Sequence, residues 1–242
     1  MASKYTGLTE EQMLETVKES NRPSTIKYFD TQSPEVQIAA VTKNPNAIKY
    51  IKNPTDEAQG VAVKKIPRLI YQIKNPCEEA QFCAVEGLKD REHFRLYKYL
   101  GDPPENVKLA FVNKQGYYNG LIIGCMNNPN EDIQLISVDK CPNSISCIDN
   151  PTPAVQLLAV QKDYTTIKYI KNPSEELQLA AVKENAWVIK YIKNPTEKVQ
   201  LAAMENRWTK DFYENYIEDL PNKTERFYRE FDRLKLIKGP LK

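Results

Sequence analysis

Residues 189–206 read IKYIKNPTEKVQLAAMEN, a near-copy of IKYIKNPSEELQLAAVKEN at residues 167–185, displaced by 22 positions (189 − 167). Duplicating such a stretch gives a single active site nothing, whereas a unit that must stack on its own kind needs it. The glutamine of VQLAA anchors the register. Its slot holds Met13, Gln37, Gln59, Gln81, Lys108, Gln134, Gln156, Gln178 and Gln200, with spacings of 24, 22, 22, 27, 26, 22, 22 and 22. These nine units take up nearly the whole chain and dictate an all-α fold.

Each unit reads as two helices. Asn172-Pro173 and Asn194-Pro195 have the residue types of a helix start: an Asn cap, a Pro at the first helical position, and Glu175 or Glu197 three residues after the cap. Leu177, Leu179, Ala180, Ala181 and Val182 follow at helical spacing, with a small Ala pair that lets neighbours approach. Asn185 closes the first helix, and AWVIKYIK returns as a helix of about two turns, too short to stand without neighbours. The expected architecture is an α-solenoid of about nine two-helix repeats with helical caps, a single domain over 1–242. Within it, 1–21 is the N-terminal cap unit, where Glu15 and Thr16 replace the Ala pair, and 22–208 are the regular repeats. Residues 209–242 form the C-terminal cap, where Phe227, Phe231 and Leu234 share a helix face behind Thr224. Trp187 and Trp208, at matching places in the last units, are expected to pack as a pair.

The Asn-Pro-x-Glu-x-x-Gln-Leu-Ala-Ala-Val pattern resembles short tandem helical repeats of unknown function found in bacterial and phage proteins. More loosely, it is similar to leucine-rich-repeat-variant and HEAT-like solenoids. The resemblance covers roughly residues 9–215 and implies architecture without any catalytic motif. It also implies a phage or bacterial effector that sequesters or blocks a host factor, in the host cytoplasm if phage-encoded. Some HEAT-like solenoids act on alkylated DNA bases, which leaves a DNA-modifying enzyme as an alternative.

The remaining columns decide between binding modes. An invariant Gln reads as scaffold, its amide bonding the adjacent Asn-Pro corner, because a base-reading code needs variation between repeats. Two lysine columns, represented by Lys49, Lys168 and Lys190 and by Lys52, Lys171 and Lys193, run beside Tyr28, Tyr50, Tyr99, Tyr169 and Tyr191. Such a Lys/Tyr face suits a nucleic-acid backbone. Against that, the formal charge is only +2, and acids such as Glu175 and Glu176 in the first turns match the helix dipole and offset the lysines. The tyrosines are expected half buried.

Chemistry is scarce. No phosphate-binding Gly loop, H-E-x-x-H or G-x-S-x-G occurs, and His93 is the one histidine. Five cysteines without a C-x-x-C pair argue against a disulfide framework, although Cys125, Cys141 and Cys147 could lie near one another. No apolar run is long enough to span a bilayer, and MASKYTGLTEEQ lacks a secretory core, so a cytoplasmic location is expected. The reading is a non-catalytic scaffold that binds a protein, with no cofactor, no metal and no membrane contact.

Two adjacent units break the period. The Val-to-Tyr step, 9 between Val182 and Tyr191, becomes 14 between Val85 and Tyr99 and 13 between Val112 and Cys125. The added residues are expected to form longer loops near 86–93 and 113–120. Insertions in repeat arrays collect on one face, often the binding face. Asp90, Arg91, Glu92, His93, Tyr117 and Tyr118 are therefore the candidate partner-binding residues.

Overall fold

The computed structural model describes residues 5–114 and 119–241; the side chains of Asp90 and Asn119 lie outside that description. Regular structure among the described residues is entirely helical, with no strand. The chain divides into two compact units, Met1–Tyr118 and Asn119–Lys242.

The N-terminal unit holds α1 (Glu10–Glu19), α2 (Pro34–Lys43), α3 (Asp56–Lys65), α4 (Glu78–Gly87), α5 (Asp90–Leu100) and α6 (Glu105–Asn113). Helices α1 to α4 pack each on the next, and α4 packs on α6. The C-terminal unit holds α7 (Asn119–Ile123), α8 (Glu131–Lys140), α9 (Pro153–Lys162), α10 (Glu175–Glu184), α11 (Glu197–Asn206), α12 (Lys210–Tyr216) and α13 (Glu225–Lys238). Here α8 to α11 pack in sequence and α13 covers α11. Each helix buries the residues on either side of its Ala slot, as with Val36, Ala40 and Val41 or Leu177, Ala181 and Val182.

The helix start differs from the Asn-Pro expectation. Ser174 and Thr196, two residues after each Asn, are the caps; their hydroxyls accept from Leu177 N at 3.2 Å and Val199 N at 3.4 Å. Thr55, Thr152 and Ser33 do the same. Asn-Pro turns the chain into the cap, because the residue before a proline is biased away from helix. The Glu that follows sits at the first helical position, so among the described residues a reciprocal capping box forms only in α1, between Thr9 and Gln12. That acid has another partner. The cap hydroxyl of the next helix donates to it, from Thr152 to Glu131 at 2.5 Å, from Ser33 to Glu10 and from Thr224 to Glu197.

The return segments are single 3₁₀ helices of six residues, such as Pro45–Tyr50, Tyr164–Tyr169 and Ala186–Tyr191, rather than two α-turns. Their buried residues explain this. Ile48 and Ile51, Ile167 and Ile170, and Ile189 and Ile192 lie three apart, the spacing that eclipses on a 3₁₀ helix. Asn44, Asp163 and Asn185 cap these turns by accepting from the backbone two residues on.

The first insertion is no loop. Asp90–Leu100 forms α5, which ends at Gly101 with φ 78°. His93, Leu96 and Tyr97 lie on its inward face, and the Tyr97 ring meets the Phe111 ring at 5.2 Å. The added residues replace a 3₁₀ turn by three turns of α-helix. At the C-terminal end, Trp187 packs on Phe212 and Tyr216, while Trp208 packs on Phe231 and donates to Gly239 O at 3.0 Å. The two tryptophans thus anchor separate clusters instead of pairing. Phe227 and Leu234 of α13 are buried, as a cap over α11 requires.

Candidate functional site

The glutamine column builds the corners. Gln59 Nε2 donates to Pro54 O at 3.0 Å, Gln134 to Pro129 O at 2.8 Å, Gln156 to Pro151 O at 2.9 Å and Gln178 to Pro173 O at 2.8 Å. This is the scaffold role expected of an invariant amide. In the N-terminal unit the other end of the amide is used as well. Gln37 Oε1 accepts from Thr55 N at 2.9 Å and Gln59 Oε1 from Cys77 N at 2.8 Å, so each side chain ties two successive corners. Where α5 is inserted the pattern changes. The residue eighteen after Gln81 is Tyr99 within α5, and Gln81 Oε1 has no partner. Lys108, buried in the next Gln slot, pairs with Asp102 at 2.7 Å in place of the amide.

In the C-terminal unit, Gln134, Gln178 and Gln200 are buried with Oε1 unpartnered. Open grooves lie between successive corners of this unit. One, of about 440 Å³, lies between the corners at 170–173 and 192–194, with Gln178 among its lining residues. The next, of about 420 Å³, shares Lys171 and Asn172 with it and reaches back to Asp149. A third, of about 230 Å³, runs from Gly124 to Asn150 past Gln134.

The structure brings together three of the six lysines of the Lys/Tyr face. Lys168, Lys171 and Lys193 line the 440 Å³ groove with Tyr169 and Tyr191, no carboxylate lines it, and Lys190 sits over the Tyr191 ring. All four are exposed and make no ion pair among the described residues. Of the first-turn acids expected to offset these lysines, Glu175 is engaged elsewhere, as is Glu197 of the next helix. Glu175 accepts from Thr196, which together with Lys198 at 3.4 Å holds its carboxyl below the usual range, and Glu197 accepts from Thr224. Glu175 and Glu197 line a separate groove with Leu179, Leu201 and Arg226. Tyr169 and Tyr191 are 42% and 40% exposed, and Lys168 Nζ and Lys190 Nζ sit over their rings at 4.8 and 5.0 Å. Lys49 and Lys52 are exposed in the N-terminal unit.

The charge of the C-terminal grooves is graded. The Lys slots of the preceding repeats hold Ser146 and Gly124, and Asp149 lines both of the other grooves. Gly124 has a packing reason: a Cβ there would stand 3.1 Å from Cys147 Cβ.

Of the six partner-binding residues expected from the insertions, the structure places the side chains of Arg91, Glu92 and His93. His93 is 3% exposed, its Nε2 at 3.0 Å from Val85 O and its ring edge-on to Phe111, so it belongs to the core of α5 rather than to a contact face. Glu92 is half buried and paired with Arg68 at 2.9 Å. Arg91 is exposed. Tyr117, Tyr118 and the side chain of Asp90 lie outside the described residues. A helical signal marked α5 beforehand, the inward set His93, Leu96, Tyr97 and Leu100 at i, i+3, i+4 and i+7.

All five cysteines are free; Cys125 is exposed and Cys141 and Cys147 are half buried. The described residues contain no group of three or more His, Cys, Asp or Glu placed to hold a metal ion, and no helix long and apolar enough to cross a membrane. Comparison with protein-family models, curated proteins and solved structures gave no match.

Proposed function

We propose that the chain is a non-catalytic binding scaffold, built on α-solenoid stacking of the repeat, that engages a protein partner through the corner grooves of its C-terminal unit. The observation that carries this reading is the run of three grooves between successive corners, adjacent ones sharing lining residues, ending in one lined by three uncompensated lysines. A periodic groove on a rigid stack offers the extended surface on which repeat proteins bind macromolecules. Such a scaffold acts by occupancy: it sequesters or blocks what it holds.

A second reading, nucleic acid along the same lysines, is favoured by the lack of any acid in that groove. It is opposed by the lysines that cover the rings on which bases would stack. Affinity capture with the full chain, with and without nuclease, separates the two. A protein retained after nuclease treatment, and lost when Lys168 and Lys193 are changed to Glu, fits the first reading. Recovery that vanishes with nuclease overturns it.

A further inference from the structure

The 440 Å³ groove constrains the chemistry of what it holds. Three exposed ammoniums, Lys168, Lys171 and Lys193, line it without a carboxylate among the lining residues. A single exposed Lys–carboxylate pair is worth only about 0–1 kcal/mol, so a ligand must supply several negative groups at once. Each tyrosine face already carries a lysine, so the groove is not a free stacking platform for bases. Towards the preceding corner the lining turns acidic at Asp149, which limits the anion-accepting stretch to the two C-terminal corners.

Resting on the reading of the chain as a protein-binding scaffold, we infer that this groove receives an acidic, extended segment of the partner. Its carboxylates meet the ammoniums of Lys168, Lys171 and Lys193. Salt weakens such binding, because the charges are exposed.

The test uses the full chain and a fluorescein-labelled oligoglutamate peptide, read by anisotropy at low and physiological salt. A neutral Gly/Ser peptide and an oligothymidylate serve as comparisons. Oligoglutamate should bind more tightly than either, and the Lys168→Glu, Lys193→Glu variant should bind it at least about tenfold more weakly. The milder Lys171→Gln, Lys193→Gln variant, with its melting temperature checked, should also lose affinity. The Lys49→Glu, Lys52→Glu variant of the N-terminal unit should keep it. Tighter binding of oligothymidylate, or equal loss in the N-terminal variant, overturns the inference. Absence of oligoglutamate binding while groove-dependent protein capture persists overturns the acidic chemistry alone; absence of capture overturns the scaffold reading itself.

Discussion

Gln59 and Gln178 occupy the same slot of the repeat, behind the same Lys-Asn-Pro and ahead of the same Lys-Asn-Pro. Yet Gln59 ties two corners together while Gln178 holds one and leaves its carbonyl oxygen unmet. The corners are the same sequence, so the difference does not originate in them; it belongs to how neighbouring helices sit. One contributor is visible at the next residue. Gly60 of α3 is buried, with Glu79 Cγ of α4 only 3.1 Å from where its Cβ would be, and the equivalent positions of the C-terminal unit hold Leu157, Leu179 and Leu201. The comparison teaches that one repeated amide closes the seam in one repeat and leaves its oxygen unmet in another.

The largest effect that sharpens this contrast is expected at the glutamines. Gln59→Leu strands Pro54 O and the Cys77 N–H, and should cost about 2–6 kcal/mol at about 1–3 per buried group left unsatisfied. Gln178→Leu strands one carbonyl but also removes a buried orphan oxygen, and should cost about 1 kcal/mol or less. Urea denaturation of both variants measures the gap; equal losses would erase the distinction between the units.

Next in size is the cap. Thr196→Ala removes the bond to Val199 N and should lower stability by about 1 kcal/mol. Asn172→Ala, at an exposed residue that caps nothing, should change it by less than about 0.5 kcal/mol. Thermal melts with the reverse order would return the cap to the Asn-Pro pair.

The smallest effect is a pH dependence. The Thr196 hydroxyl, and then Lys198, lower the Glu175 carboxyl from its ordinary 4.5. A depressed folded value adds stability above the unfolded value and loses it as pH falls through the folded one. The melting difference between wild type and Glu175→Gln should therefore be present at neutral pH and shrink below pH 4.5. A difference that grows on acidification would mean the Thr196–Glu175 bond is not made in solution.

Much of this was legible in the repeat itself. The period gave the helices, the invariant glutamine gave the corner bonds, and Phe227 with Leu234 gave the terminal cap. The cap residue was misplaced because Asn-Pro and Ser/Thr-Glu both satisfy helix-start chemistry two residues apart, and only backbone geometry separates them. Extra length at α5 read as loop because its inward face opens on a histidine, a residue that does not announce a core position. The groove was half legible: the Lys columns stand in the sequence, but their freedom from Glu175 and Glu197 depends on hydroxyls of the following helix claiming those acids. Nothing in the one-dimensional pattern shows which amides bridge two corners.

Amide hydrogen exchange on the intact chain tests that last point most directly. The N–H groups of Thr55 and Cys77 are held by glutamine oxygens in the N-terminal unit, whereas Thr152 and Thr196, the residues eighteen after Gln134 and Gln178, receive no such bond, since those two Oε1 atoms have no partner. The account predicts slow exchange at Thr55 and Cys77 and faster exchange at Thr152 and Thr196. Equal protection at all four would contradict it, placing the same closed seam in both units.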